Sequence, residues 1–128
     1  MASELRVTTI ANNAGTESVD TTYVINGTAK AWVNFNGTGT VAIRESNNTS
    51  SITDNATGNY TVNFTSAMED VNYSLTGTGT WNTETGSGGL FATQTSTFAT
   101  TSTRVYVYQS NSLFNGVDAH TCCVNILR

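Results

Sequence analysis

The segment Asp118-Ala-His120-Thr-Cys122-Cys123 gathers the residue types that most often do chemistry: a carboxylate, the only histidine and both cysteines of the chain. A Ser-His-Asp arrangement would need a nucleophile beside His120, and no G-x-S-x-G turn is there to offer a serine. Asp118 and His120 are two residues apart, so an extended backbone points both to one side. Without a nucleophile they read as a solvated loop. Zinc needs four ligands, as a rule in two spaced pairs. Strand alternation sends Cys123 away from His120 and Cys122, so the spacing builds no zinc site. A disulfide between neighbouring cysteines is strained. The pair reads instead as one buried apolar thiol and one thiol at a surface or subunit contact. No metal and no cofactor is expected.

Three further patterns have a chemical reading. Glu69-Asp70 is an acidic pair, but glycoside hydrolysis needs two carboxylates facing each other across a bond, one in a pocket that raises its pKa. Adjacent residues cannot supply that, and calcium would need a loop of D-x-D-x-D-G character that the chain lacks. The pair therefore reads as a solvated turn. The run TGSGG (Thr85 to Gly89) is glycine-rich without the lysine and helix of a phosphate loop, and reads as a hairpin tip. Asn-x-Ser/Thr sequons at Asn26, Asn36, Asn55 and Asn63 arise readily in a chain this rich in Asn, Ser and Thr. The inventory points away from an enzyme.

Length and charge narrow the partners. The 128 residues suffice for one domain with one core. Charged residues make up 11%, against about 25% in an average soluble domain, and the net charge is -4. Arg6, Lys30, Arg44, Arg104 and Arg128 are too scattered for the basic stripe of a nucleic-acid binder. No stretch approaches the ~20 apolar residues that cross a membrane, so no insertion is expected. The N-terminus MASELRVTTIANNAG lacks the apolar run of a signal peptide, which predicts cytoplasmic synthesis without a cleaved leader.

The elements that position these residues are strands. From Ala29 onward apolar residues alternate with polar ones, and the predicted strands are 29–36, 39–45, 59–65, 71–78, 89–98, 103–109 and 121–127, with a short one near Ser50 to Thr53. Asn36-Gly37, Asn47-Asn48, Asp54-Asn55, Gly86 to Gly89 and Asn115-Gly116 punctuate them as turns. Threonine, about a fifth of the chain, suits a pleated surface. The expected fold is all-β, an antiparallel β-sandwich, jelly-roll-like, over 29–128. Its inner faces would be Val33, Phe35, Val41, Ile43, Tyr60, Val62, Phe64, Val71, Tyr73, Leu75, Phe91, Val105, Val107, Val124 and Ile126. Residues 1–28 read as an extended N-terminal arm, with a short strand from Leu5 to Ile10, a turn-rich connector and another short strand at Tyr23 to Ile25. Helical turns are expected only at Asn12 to Thr16 and Ser66 to Asp70. Leu5, Val7 and Ile10 are the arm's candidate anchors. Trp32, Tyr106 and Tyr108 fall on the outward parity of their strands, where large aromatics need a cover, and are the candidate subunit contacts.

Several words of the chain resemble a module of tailed-bacteriophage tail fibres and other virion-surface proteins, especially from phages of cyanobacteria and other marine bacteria. They are AKAWVNFNGTGTVAIR (Ala29 to Arg44), SSITDNATGNYTVNFT (Ser50 to Thr65), AMEDVNYSLTG (Ala67 to Gly77) and the opening ELRVTTIANNAGT (Glu4 to Thr16). Together they span roughly residues 4–77 and contain no catalytic motif. Long fibres carry this module after an anchor and a shaft, whereas Met1 stands almost at the module here. The resemblance therefore implies a capsid decoration (cement or head-fibre) protein or a short tail appendage on the virion exterior. Such proteins are usually homotrimers. The implied partners are the chain itself and the major capsid protein or a tail protein of the same particle, contacted by the arm. A host surface glycan is the alternative partner, which would make the chain a receptor-recognition module, with Trp32 and Trp81 as sugar platforms. The loops around Asn47, Gly86 and Asn115 would then face the host.

Overall fold

The computed structural model describes residues 3–80, 88–92, 97–109 and 115–128, with 88–92 described through the backbone. Its elements in chain order are β1 (Thr9–Ala11), β2 (Ser18–Asp20), α1 (Thr21–Gly27), β3 (Ala29–Asn36), β4 (Ala42–Asn47), β5 (Thr49–Ala56), β6 (Asn59–Phe64), β7 (Ser74–Thr80), β8 (Gly88–Ala92), β9 (Ser102–Gln109) and β10 (Thr121–Leu127).

All pairings among these strands are antiparallel. The order is β4-β3-β10-β7-β8-β9-β6-β5, with β1 and β2 as a separate hairpin. The ladder folds into two layers, a four-stranded β4-β3-β10-β7 and a three-stranded β9-β6-β5, with β8 pairing to both β7 and β9. The apolar alternation explains the closure. Ala31, Val33 and Phe35 of β3 and Cys122, Val124 and Ile126 of β10 are buried, as are Tyr60 and Val62 of β6 and Val105 and Val107 of β9. Phe35 meets Tyr60 across the interior edge-on, with centroids 5.2 Å apart and planes at 73°. Each Val, Ile or Phe side chain so withdrawn from water contributes about 1.5–3 kcal/mol.

The layers are also joined by a corner. The chain leaves β4 at one edge of the ladder and enters β5 at the other through Asn48, whose φ is 51. Asparagine tolerates this left-handed backbone. Its side chain donates to the carbonyls of Lys30 (3.1 Å) and Ser66 (3.2 Å) and accepts from the N–H of Ser66 (2.7 Å). One residue thus makes the turn and ties the start of β3 to the end of β6.

Most predicted strands lie where the periodicity places them, and several expectations need correction. β4 starts at Ala42, because the Asn36 side chain donates to the carbonyls of Thr38 (2.7 Å) and Thr40 (3.2 Å) and holds those residues in a longer turn. The short strand near Ser50 is the full eight-residue β5. β7 starts at Ser74, since Asp70 accepts from the N–H of Asn72 (2.7 Å) in a local turn, and Val71 is exposed rather than buried. Of the predicted strand 89–98, the part up to Ala92 lies in β8 (Gly88–Ala92), while residues 93–96 and the side chain of Phe91 lie outside the described residues. Tyr23 to Ile25 is helical, not extended: Asp20 accepts from the N–H of Thr22 (2.7 Å) and caps α1, overriding the strand preference of Thr, Tyr and Val. The Thr22 side chain, and then its N–H, hold the Asp20 carboxyl below the usual carboxylate range.

Candidate functional site

The outer face of the four-stranded layer carries a shallow groove of about 470 Å³. Register builds it. Asn125 of β10 lies between Trp32 of β3 and Thr76 of β7, and Cys123 lies between Asn34 and Thr78 one pleat further along. These six side chains point outward because their neighbours Val33, Cys122, Val124 and Ile126 point into the core. All nine residues around the groove are uncharged. Trp32 is 36% exposed, a large area for an indole on a strand. Asn34 accepts from Arg44 Nη1 (3.3 Å) through its side-chain oxygen. Among the described residues, the side chains of Asn125, Thr76 and Thr78 have no hydrogen-bonding partner.

The opposite face, on β9-β6-β5, is arranged differently. Asn55 donates to Thr61 (2.9 Å) and to Asn59 (3.3 Å), and Asn63 donates to Ser51 (3.1 Å) and Thr53 (3.0 Å). The Asn55 and Asn63 amides are spent on neighbouring side chains, mostly hydroxyls. Tyr106 and Tyr108 stack here with centroids 6.0 Å apart and planes at 3°, both rings half-buried. Trp32 and the tyrosine pair, expected from parity to form one kind of patch, therefore sit on opposite faces of the sandwich.

The remaining predicted positions separate in the same way. Asn47 is the last residue of β4, paired in register with Trp32 at the Asn48 corner. Asn115 is exposed at the other end, next to Gly116, which packs on the backbone of Thr57. The two ends are a strand length apart, roughly 20 Å. Gly86 and Trp81 lie outside the described residues. Leu5, Val7 and Ile10 are all exposed, and so are Val19, Tyr23 and Ile25 of the same arm. The arm is stitched to itself, with Thr21 donating from its N–H to Thr8 O (2.9 Å) and from its hydroxyl to Val7 O (3.0 Å), and α1 buries no residue.

The residues that first suggested chemistry have structural partners. Asp118 is half-buried and hydrogen-bonded into the fold rather than standing in a merely solvated loop. One carboxylate oxygen accepts from the N–H of Gly58 (2.8 Å) and from the Tyr60 hydroxyl (2.8 Å), which also lies 2.9 Å from Gly37 O. Burial, then this contact with Asp118, pushes the Tyr60 hydroxyl up from its ordinary value. Glu69 and Asp70 are ion-paired to Arg128 rather than standing in a bare turn, and Arg128 Nε lies 3.0 Å from Asp70 Oδ1. The guanidinium holds the Asp70 carboxyl below the usual range. The exposed His120 offers its carbonyl to Arg44 Nη2 (2.6 Å). Among the described residues no three His, Cys, Asp or Glu side chains are placed to hold a metal ion, and no helix is long and apolar enough to cross a membrane.

The cysteines are both free, Cys122 buried and Cys123 half-buried in the groove. Burial pushes the Cys122 thiol up to about 12. A maleimide applied to the folded protein should therefore label Cys123 alone, with Cys122 reacting only in denaturant, as peptide mass mapping would show. Equal labelling of both thiols would contradict the packing of β10.

Sequence reasoning missed Asn34, Asn125, Thr76 and Thr78, although each sits at an outward parity. What it could not supply was the adjacency of β3, β10 and β7. Comparison of the chain with family models, with curated proteins and with solved structures returned no match.

Proposed function

We propose that this chain is a non-enzymatic structural protein of a tailed-phage virion surface, a capsid decoration protein or short tail appendage, acting as a homotrimer. The single observation that carries the reading is the arm. Six of its apolar side chains, Leu5, Val7, Ile10, Val19, Tyr23 and Ile25, are exposed, and its own secondary structure gives them no core. A hairpin and helix of this kind find a core only by docking on another surface. The resemblance of the chain's words to virion-surface proteins supports reading that surface as the capsid or tail protein of the same particle. The domain that projects from it is a sandwich of jelly-roll-like character. We assign self-association to the face that carries the stacked, half-buried Tyr106–Tyr108 pair, where the Asn55 and Asn63 amides are already hydrogen-bonded.

The test is to add purified protein to particles lacking it and to image them by cryo-electron microscopy. Wild-type density should appear at symmetry-related sites, with the arm on the shell or the tail. Replacing Leu5, Val7 and Ile10 together by Asp should abolish decoration while circular dichroism and the unfolding midpoint stay near wild type. Decoration by the triple variant, or no density for the wild type, would overturn the assignment. In sedimentation, Tyr106→Ala with Tyr108→Ala should convert trimer to monomer.

A further inference from the structure

We propose that the groove over β3, β10 and β7 binds neutral saccharide, one pyranose ring lying on the Trp32 indole while Asn125, Thr76 and Thr78 take its hydroxyls. This goes beyond the virion-surface assignment and holds whether the chain sits on head or tail.

The chemistry of the lining selects the ligand. A pyranose has a C–H face that packs on an aromatic ring and hydroxyls around its edge. Trp32 offers the ring, and covering it removes a large apolar surface from water. The Asn125 amide carries two donors and an acceptor, enough to hold two neighbouring hydroxyls at once, and the threonines donate and accept. These side chains have no partner among the described residues, whereas Asn55 and Asn63 of the opposite face are bonded to neighbouring hydroxyls. The two faces have similar compositions, and only one keeps its polar groups available.

Charge excludes the competitors. All nine surrounding residues are neutral. A phosphate, a sulfated or acidic sugar, or an acidic peptide would lose hydration and meet only the Arg44 guanidinium at the Asn34 end, which is already held by Asn34, Thr121 and the His120 carbonyl. The charges nearest to Asn34 are of both signs, Arg44 bonded to its side chain and Glu45 opposite it in register.

Size agrees. Two strand spacings separate Trp32 from Thr76, about 9.6 Å, and the two rows of side chains are about 6.8 Å apart. That is room for one ring with its hydroxyls, and the open ends admit a longer chain. Because every contributing side chain stands on a hydrogen-bonded strand, little ordering is needed on binding.

The experiment is a titration of the ¹⁵N-labelled full chain with neutral hexasaccharides of glucose, galactose and mannose, and with oligogalacturonate as the anionic control. Saturable shifts of the amides of residues 32, 76 and 125 with at least one neutral sugar, and none with the control, are expected. Trp32→Ala should weaken binding about tenfold or more, and Asn125→Ala several-fold. Maleimide on Cys123 should block the groove without unfolding the protein, and Tyr106→Ala should leave the titration unchanged. Silence towards all three neutral sugars up to millimolar concentration would overturn the proposal, as would an affinity left unchanged by Trp32→Ala. Dissociation of the oligomer by Trp32→Ala or by the Cys123 adduct would also overturn it, assigning the face to a subunit contact.

Discussion

Tyr60→Ala should lower the unfolding free energy by at least ~3–5 kcal/mol, the range for removing a fully buried aromatic, out of the ~5–15 kcal/mol typical of a domain. The ring is fully buried and meets Phe35 at 5.2 Å, so its removal opens a cavity where the two layers touch. It also takes a donor from Asp118, a half-buried carboxylate left with the Gly58 N–H. Tyr60→Phe separates the two effects. It keeps the ring and deletes the hydroxyl, for an expected cost of about 1–3 kcal/mol. Urea titrations of the three proteins would check the order; a Phe variant as unstable as the Ala variant would contradict the packing.

The same hydroxyl makes stability depend on alkaline pH. Burial and the contact with Asp118 raise its folded pKa above the unfolded value near 10. Above that pH the unfolded chain releases the proton and the folded chain keeps it. The contribution is therefore complete below about pH 10 and is lost as pH rises through the folded pKa. Tyr73, also raised by burial, and Cys122, raised to about 12, titrate in the same direction. The readout is accordingly the difference between wild type and Tyr60→Phe, which should be constant below about pH 10 and shrink above it.

Gly58→Ala should cost more than ~3 kcal/mol and fall among the severe single substitutions. Two causes add. Gly58 has a φ of 67, which costs an L-residue about 1–2 kcal/mol. A Cβ built there would stand 2.5 Å from Val107 O and 2.5 Å from Val117 N, backbone atoms that cannot turn aside. Relief would break the bonds that seal this end of the sandwich: Val107 N–H to Gly58 O (2.8 Å), Val117 N–H to Val107 O (3.0 Å) and Gly58 N–H to Asp118 (2.8 Å). Gly39 is the control. Its φ is 62, but a Cβ there meets nothing within 4 Å, so Gly39→Ala should cost only the backbone share, about 1–2 kcal/mol. Similar denaturation midpoints for the two variants would show that close approach at Gly58 does not matter.

Much of the sandwich was legible because strand periodicity is a local property. Ala29 to Asn36 and Thr121 to Leu127 are strands to the residue, since alternation and flanking turn residues define them without reference to the rest of the chain. Side-chain direction followed at once, so Val33, Phe35, Tyr60, Val62, Val105 and Val124 are buried as expected. Local contacts that override propensity were harder to read. The helix at Thr21–Gly27 rests on one cap from Asp20, and the late start of β7 on one bond from Asp70. Ala31, Met68, Ala119 and Thr103 were missed in the core because small, flexible or hydroxylated side chains carry a weak apolar signal.

The candidate site divides along the same line. The chain by itself determined which side chains leave each strand on the outward side, Trp32, Tyr106, Tyr108, Asn34 and Asn125 among them, because alternation needs only the pleat. Tertiary structure decided which of them meet. The last strand, β10, inserts between β3 and β7, sets Asn125 beside Trp32, and leaves the tyrosine pair on the far face. It also carried Asp118 to Tyr60, 58 residues away in sequence. The physical reason is that strand order is chosen by burial of both inner faces at once, a property of the whole closed core that no single strand's pattern contains.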